Sequence, residues 1–299
     1  MSLSSMPAAG CVLCFDDEAS QAGQAASACG MALAVVERHR FPDGELRLRL
    51  PAALPARVVL WRGLQQPNEK LVELLLAAQT ARTLGARHLT LVSPYLAYMR
   101  QDIAFNPGEA ISQRIVGGFL AQLFDAVITV DPHLHRVATL FEAIPVKDAI
   151  ALSGAPLLAD HIATQRQRPL LMGPDEEALQ WVALAADRHG WDHAVCRKTR
   201  HGDCEVDIEL PGQPVAGRVV VLMDDVASSG HTLARAAVKL RAAGAVSVDV
   251  AVTHALFAPG AVQLVRSSGV GEIWSTDCIA HASNAVSIVP AVVAALQGL

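Results

Sequence analysis

One stretch constrains the fold of this chain more than any other, and it reads VVVLMDDVASSGHTL at residues 219–233. An apolar run ends in two adjacent carboxylates, Asp224 and Asp225, and a loop of small residues follows. From Thr232 onward an alanine-rich segment has helical spacing. The pattern predicts a buried strand, a short loop and a helix, which is the repeating unit of α/β proteins with parallel sheets.

The loop between this strand and helix suits a phosphate group. A helix N-terminus offers free backbone N–H groups and the positive end of the helix dipole. Ser228, Ser229 and Thr232 add hydroxyl donors. Asp224 and Asp225 come one turn earlier, where their oxygens can accept hydrogen bonds from sugar hydroxyls. The residues favour a site for a phosphorylated pentose, although a strand that ends in Asp-Asp before a helix also occurs without any ligand.

Composition limits what the chain can be. Its 299 residues permit two domains of ordinary size, and 52% hydrophobic with 18% charged residues is typical of a packed protein. A net charge of −5 argues against nucleic-acid binding, which needs a basic face. No apolar run is long enough to span a membrane and no signal peptide is evident. We therefore expect a cytoplasmic protein with neither nucleic acid nor membrane as a partner.

Two cysteines have a spacing that occurs in metal and redox sites. Cys11 and Cys14 lie in the strand-like segment CVLCF, and no second cysteine pair completes a zinc site. We expect them to be reduced residues of the core.

The loop at 224–232 resembles the ribose 5-phosphate loop that phosphoribosyltransferases share with ribose-phosphate pyrophosphokinases, also called PRPP synthetases. In that pattern an apolar strand precedes Asp-Asp, two or three variable residues and Ser/Thr-Gly-Gly-Thr. Here Ser229 replaces a threonine and His231 replaces the second glycine. The resemblance implies ribose 5-phosphate binding by Asp224, Asp225, Ser228, Ser229, Gly230, His231 and Thr232.

Two stretches of the first half resemble ATP-binding parts of the PRPP synthetases. RFPDGE at 40–45 resembles the loop that reaches into a neighbouring subunit's ATP site. PYLAYMRQD at 94–102 resembles a nucleotide-binding run, and the residues after it are most like the archaeal-type branch. The resemblance implies a homo-oligomer, at least a dimer, with a shared ATP site. Its ATP-binding residues are Phe41, Asp43, Glu45, Arg100, Gln101, Asp102 and His133.

Three shorter matches concern the metal and the reaction itself. DPH at 131–133 and GPD at 173–175 match family positions near the phosphates, which implies Mg²⁺ as cofactor with His133 and Asp175 at the metal. Asp175 also precedes a helical pattern, so it is equally well explained as a helix N-cap. Lys198 and Arg200 match a Lys and Arg of the family, which implies that these two catalytic residues neutralise charge on the transferring group.

The matches run in order through about residues 11–299 and therefore predict the architecture. The resemblance implies an α/β fold of two tandem duplicated domains, each a mainly parallel sheet flanked by helices, as in type I phosphoribosyltransferases. We expect an N-terminal, ATP-binding domain at 1–145 and a C-terminal, ribose-5-phosphate-binding domain at 146–285. A closing helix is expected at 286–299.

The resemblance implies transfer of the diphosphoryl group of ATP to the 1-hydroxyl of ribose 5-phosphate, giving PRPP and AMP. Three alternatives stay open from the sequence. A type I phosphoribosyltransferase would share the 224–232 loop but would consume PRPP. A catalytically silent regulatory relative is compatible with Ser229 and His231. A sugar-phosphate binder with another nucleotide donor is the third.

Overall fold

The computed structural model describes residues 10–134, 136–201 and 205–299, with the backbone alone at 198–201 and 205–207. The described chain divides into two compact units. One contains the described residues up to Leu152 together with Val289–Leu299, and the other is Ser153–Ile288. In the described parts of the chain, no helix combines the length and the apolar character needed to cross a membrane.

Strands and helices alternate along most of the chain. The strands are β1 (Cys11–Cys14), β2 (Ala32–Val35), β3 (Glu37–Arg40), β4 (Leu46–Arg49), β5 (Arg57–Trp61), β6 (His88–Ser93), β7 (Ala126–Val130), β8 (Asp148–Leu152), β9 (Leu170–Gly173), β10 (His193–Val195), β11 (Arg197–His201), β12 (Glu205–Glu209), β13 (Val219–Ala227), β14 (Ser247–Ala255), β15 (Val270–Thr276) and β16 (Asn284–Val286). The helices are α1 (Ala19–Ala28), α2 (Pro67–Thr83), α3 (Ser112–Leu123), α4 (Leu140–Ala143), α5 (Ala155–Gln165), α6 (Leu179–His189), α7 (His231–Ala242), α8 (Ala261–Ser267) and α9 (Val289–Gln297). Short 3₁₀ turns occupy Asp16–Glu18 and Glu176–Ala178.

Each unit is built on one six-stranded parallel sheet. The first sheet has the order β2-β1-β5-β6-β7-β8 and the second has the order β10-β9-β13-β14-β15-β16. Numbered within its own unit, each sheet therefore follows the order 2-1-3-4-5-6. An antiparallel hairpin is inserted between the second and third strands of each sheet, β3–β4 in one unit and β11–β12 in the other. This shared topology confirms the predicted α/β fold of two duplicated units.

Aliphatic burial explains why these strands pair in parallel. The side chains at Val58–Trp61 and Val220–Leu222 are fully buried, so helices cover both faces of the central strands. Near-continuous apolar runs of this kind are typical of parallel sheets. Polar functional residues are consequently displaced to the ends of the strands.

The C-terminal helix belongs to the first unit. Helix α9 packs against α1, and the Arg57 side chain donates a hydrogen bond to the Leu296 carbonyl at 2.6 Å. The C-terminal helix α9 therefore completes the first unit by packing against its first helix, α1.

The cysteine pair of β1 lies in the core, as the sequence predicted. Cys11 and Cys14 are buried free thiols. Burial raises the pKa of both thiols, that of Cys14 to about 11, so neither is a reactive thiolate at neutral pH.

A glycine of α3 sets how closely the chain after β7 approaches that helix. A Cβ built on Gly117 would lie 1.8 Å from the Ala143 carbonyl oxygen, whereas one on Gly118 meets nothing within 4 Å. Gly117→Ala should therefore destabilise the protein by about 1–3 kcal/mol through overpacking. Gly118→Ala should be neutral or stabilising by up to about 1 kcal/mol, because alanine is the better helix former.

The midpoints of thermal unfolding of the two variants measure this difference in stability. Both variants carry the same Gly→Ala substitution in the same helix. Equal midpoints for Gly117→Ala and Gly118→Ala would contradict the close packing of α3 against α4.

Candidate active site

The second sheet has a topological switch point, and the residues predicted to bind a sugar phosphate follow the strands beside it. Strand β9 has β10 as its neighbour on one side and β13 on the other, so the strand order reverses direction between β9 and β13. In open parallel sheets, ligands bind at the carboxyl ends of the strands at such a point. Asp175 comes two residues after β9, and Asp224 and Asp225 lie near the carboxyl end of β13. The fold therefore brings Asp175 and the 224–232 loop to one edge.

The two aspartates of β13 form an acidic pair in which Asp225 is buried and Asp224 is partly exposed. Asp225 is 2% exposed, and its backbone N–H donates to an Asp224 carboxylate oxygen at 3.0 Å. Burial, followed by the negative charges of Asp225 and Asp175, raises the pKa of Asp224 well above its ordinary value. The repulsion among these three carboxylates thus adds to the effect of burial on Asp224.

This acidic group fits a divalent cation in one respect. A cation beside Asp224 would offset the repulsion that raises its pKa. However, no three His, Cys, Asp or Glu side chains among the described residues converge as a complete ligand set. Mg²⁺ usually takes one or two carboxylates and completes its shell with water and substrate phosphates, so a partial protein set is compatible with it.

Asp175 also caps a helical turn, as the sequence predicted. Its carboxylate accepts a hydrogen bond from the Glu177 backbone N–H at 3.1 Å, at the start of the turn Glu176–Ala178. The cap fixes this side chain at the carboxyl end of β9. A cap and a ligand contact are compatible because a carboxylate has two oxygens.

The loop after β13 ends in an uncapped helix N-terminus. Gly230 is the N-cap of α7, has φ 75° and offers no side chain to the first-turn N–H groups. Ser228 and Ser229 are exposed beside it, and the Ser228 carbonyl is held by the Ala258 N–H at 3.0 Å. Such an end has backbone donors available for an anion.

His231 does not distort this loop. It is the first residue of α7, it is exposed, and its φ is not positive. The left-handed position belongs to Gly230, one residue earlier. The departure from the family's second glycine therefore leaves the backbone geometry of the loop intact.

Lys198 and Arg200 lie in β11, but their side chains fall outside the described residues. The backbone register pairs Lys198 with Ile208 and Arg200 with Val206. Ile208 is buried in the core of the second unit, which anchors this hairpin to the sheet. Their predicted catalytic role remains a prediction.

In the first unit, the hairpin β3–β4 carries the residues predicted to serve a neighbour's ATP site. Its turn is closed by a hydrogen bond from the Phe41 N–H to the Glu45 carbonyl at 2.8 Å. Asp43 accepts from the Glu45 N–H at 3.1 Å, and Phe41 is 37% exposed. The buried Glu73 of α2 holds the hairpin through Arg38 at 2.6 Å. The three predicted side chains therefore share one anchored loop tip.

The other predicted ATP-binding residues follow the next two strands of the same sheet. Arg100 and Gln101 come after β6, with Arg100 exposed and Gln101 partly exposed. His133 follows β7, is partly exposed, and comes two residues after Asp131, whose φ of 36° is left-handed. Because β6 and β7 are adjacent and parallel, these residues lie at one edge. His133 belongs to the first unit and Asp175 to the second.

Asp102 differs from its neighbours because its side chain is only 1% exposed. It accepts a hydrogen bond from Arg136 at 2.6 Å. No motif of the sequence marks Arg136. The one sequence feature that could have indicated Arg136 is its position three residues after the DPH motif, which follows a buried strand.

The switch point of the first sheet, between β1 and β5, is filled by the chain's own ion pairs. Arg62 is 1% exposed and contacts Asp17 at 2.7 Å, Glu18 at 3.1 Å and Glu73 at 2.5 Å. The Glu18 carboxylate accepts the Gly63 backbone N–H at 2.6 Å. The Glu18 carboxylate thus bonds to the loop after β5, which corresponds in topology to the 228–232 loop after β13 of the second unit. No motif of the sequence marks this network.

Fold and site together define a class of doubled α/β proteins that bind phosphorylated sugars and nucleotides at the carboxyl edges of parallel sheets. Two family profiles match the chain: the N-terminal domain of ribose phosphate pyrophosphokinase at residues 11–123, and the phosphoribosyl synthetase-associated domain at residues 206–290. A ribose-phosphate pyrophosphokinase of Methanopyrus kandleri is 36% identical over 89% of this chain and 91% of that relative. One from Methanosarcina acetivorans is 33% identical over 93% and 96%.

This chain belongs to the ribose-phosphate pyrophosphokinase family, and the predicted resemblance is confirmed. The crystal structure of phosphoribosylpyrophosphate synthetase from Mycobacterium smegmatis superposes with a TM-score of 0.83. It covers 97% of this chain and 98% of its own, at 22% sequence identity, and so confirms the fold.

The left-handed glycine of the 228–232 loop gives a first test of the site. In Gly230→Ala, the new Cβ takes a disfavoured φ and lies 3.0 Å from Val265. The strain amounts to about 1–2 kcal/mol, which corresponds to about a 5- to 30-fold weaker binding of ribose 5-phosphate if the loop distorts. Isothermal titration calorimetry with that sugar phosphate measures it.

His231→Gly is the matched control at the adjacent position. Because His231 is exposed and adopts ordinary helical geometry, its removal should change the affinity by less than about three-fold. Weaker binding in His231→Gly than in Gly230→Ala would contradict the assignment of the backbone cradle.

The raised pKa of Asp224 gives a second test. The folded state favours its protonated form, so this stabilisation is fully present below the unfolded-state pKa of about 3.9. It is lost as pH rises through the raised folded-state pKa. At neutral pH without divalent cations, Asp224→Asn should therefore raise the midpoint of thermal unfolding, and the gain should shrink as pH falls.

Mg²⁺ should stabilise the parent more than Asp224→Asn, because the cation offsets a repulsion that the variant lacks. Asp187→Asn, an exposed aspartate of α6, is the control and should behave as the parent does. Equal stabilisation of parent and Asp224→Asn by Mg²⁺ would contradict a cation at the acidic pair.

Proposed function

We propose that this protein is a ribose-phosphate diphosphokinase that transfers the diphosphoryl group of ATP to the 1-hydroxyl of ribose 5-phosphate. The observation that carries the proposal is the combination at the second switch point: a buried Asp225 next to a partly exposed Asp224, followed after a short loop by an uncapped helix N-terminus. One element accepts hydrogen bonds from sugar hydroxyls, and the other donates to a phosphate. Named relatives of the same family over nearly the whole chain support the same activity.

The proposed reaction is an in-line displacement at the β-phosphorus of ATP. The 1-hydroxyl oxygen forms a bond to the β-phosphorus, the bond from that phosphorus to the oxygen it shares with the α-phosphate breaks, and AMP leaves. The hydroxyl proton departs to solvent or a phosphate oxygen. Such a reaction needs alignment and charge neutralisation more than a strong base.

The sugar phosphate is assigned to the second unit. Asp224 and Asp225 hold the ribose hydroxyls, and the loop at 228–232 holds the 5-phosphate through backbone N–H and hydroxyl groups. The exposure of Ser228 and Ser229 supports this role.

ATP is assigned to residues of the first unit. Arg100 and Gln101 contact its phosphates, while Phe41, Asp43 and Glu45 come from a neighbouring subunit and hold the adenine. The proposal therefore includes a homo-oligomer of at least two subunits, and it includes a cytoplasmic location.

Mg²⁺ is part of the proposal, and when bound it would neutralise phosphate charge. His133 and Asp175 would hold the metal–phosphate end, with the acidic pair at Asp224 and Asp225 beside the sugar. Lys198 and Arg200 stabilise the negative charge of the transferring group. The proposal assigns ATP binding to the domain expected at 1–145 and sugar-phosphate binding to the domain expected at 146–285.

A turnover assay tests the proposal. The protein is incubated with ATP, Mg²⁺ and ribose 5-phosphate, and AMP is followed by chromatography. AMP that forms only with the sugar phosphate supports the synthetase. Binding of sugar phosphate without turnover indicates the regulatory relative, and consumption of PRPP with a base indicates a phosphoribosyltransferase.

Lys198→Ala should lower kcat by about 10²- to 10³-fold, because it removes a charge that acts on the transition state. Arg197→Ala is the control on the same strand, since the Arg197 side chain is 77% exposed and reaches Glu176 at 3.7 Å. Release of AMP by Lys198→Ala at the parental rate would refute the catalytic assignment.

A further inference from the structure

A carboxylate–guanidinium pair joins the two loops that carry the proposed ATP-binding residues of the first unit. Arg136 Nη1 donates to Asp102 Oδ1 at 2.6 Å. Asp102 follows β6 and Arg136 follows β7, and these parallel strands are neighbours. The pair therefore lies at the carboxyl edge of the sheet, with Arg100, Gln101 and His133 on the same two loops.

The two partners differ in exposure, and this decides which of them can meet a ligand. The Asp102 side chain is 1% exposed, whereas the Arg136 side chain is 52% exposed. Asp102 would have to leave its buried position to touch a nucleotide. The Arg136 guanidinium uses one nitrogen for Asp102 and keeps most of its N–H donors for other partners.

The second oxygen of Asp102 also indicates that Asp102 serves Arg136 and does not contact the ligand itself. Oδ2 is buried, and it accepts no hydrogen bond from the residues that the structure describes. A buried carboxylate in this condition depends strongly on its one cation. Asp102 thus fixes the direction in which the Arg136 guanidinium points.

We infer that Arg136 is a phosphate-binding residue of the nucleotide site and that Asp102 is the positioning residue that orients it. The ligand class is the polyphosphate of a nucleoside di- or triphosphate, because a planar guanidinium fork matches phosphate oxygens. The inference rests on the proposed function for the identity of the ligand. It also assigns Asp102 an indirect role in ATP binding, through Arg136.

The experiment must separate binding from stability. Arg136→Gln alone leaves a buried carboxylate without its cation, which is strongly destabilising. The double variant Asp102→Asn/Arg136→Gln removes both charges and should restore the midpoint of thermal unfolding to near the parental value. If the pair is only structural, this variant should regain both the parental stability and the parental affinity for ADP. If Arg136 binds phosphate, the variant should regain the stability but not the affinity.

Affinity for ADP, measured by calorimetry, is the primary readout because it needs no turnover. The double variant should bind ADP about ten-fold or more weakly than the parent, since a charge-assisted contact is lost. Its affinity for ribose 5-phosphate should be unchanged. Arg136→Lys keeps the positive charge but loses the planar guanidinium. Its affinity for ADP should lie between those of the parent and the double variant, and so should the affinity of Asp102→Asn alone.

Arg87→Gln is the matched control. Arg87 is an exposed arginine at the amino end of β6, at the opposite edge of the same sheet, so this variant should bind ADP as the parent does.

A stably folded double variant with parental affinity for ADP would overturn the inference, and so would a parent that binds no ADP. A parent that binds ADP but forms no AMP would defeat the proposed function instead. In that case the same titration still decides whether Arg136 binds the phosphates.

Discussion

Parallel pairing of the strands is the constraint on which the rest of this structure depends. Parallel neighbours all end at the same edge, so the loops that follow them meet there. The central strands are buried on both faces and consist mainly of aliphatic residues. Asp225 lies near the carboxyl end of β13, and Asp175 and Arg100 follow β9 and β6. The residues predicted to bind the substrates therefore lie near or beyond the carboxyl ends of the strands.

The two units have the same strand order but have diverged at the switch point. In the second unit, a left-handed Gly230 leaves a helix end open after the strand that carries the acidic pair Asp224–Asp225. In the first unit, Arg62 and its carboxylate partners fill the corresponding position. Burial raises the pKa of Glu18 there, and the Arg62 charge opposes this effect. One duplicate thus has an open helix N-terminus at this point, whereas the other fills it with ion pairs and has polar loops after the next two strands.

The sequence was sufficient to predict the family, the duplicated α/β fold and the capping by Asp175, because each depends on local pattern. An apolar run before Asp224 predicts a strand end wherever it occurs. Contacts between distant residues were not predictable in this way. Arg38 and Glu73 are 35 positions apart, and Arg136 and Asp102 are 34 apart, so no spacing marks them.

Local sequence also could not decide which residue of the sugar-phosphate loop takes the left-handed conformation. The pattern drew attention to His231, where a family glycine is replaced, but Gly230 carries the positive φ. A Cβ added at Gly230 would also lie 3.0 Å from Val265 of α8, so the space for a side chain here depends on helix packing as well as on the loop's own residues. The chemical roles of Lys198 and Arg200 remain predictions.

Transfer of a diphosphoryl group, and not of a single phosphoryl group, is the central claim. It is tested most directly with ATP that carries radioactive phosphorus at its β position, incubated with the protein, Mg²⁺ and ribose 5-phosphate. The label is expected in the phosphorylated sugar, with unlabelled AMP as the second product. Label recovered in ADP, with an unlabelled sugar product, would indicate an ordinary kinase and contradict the claim.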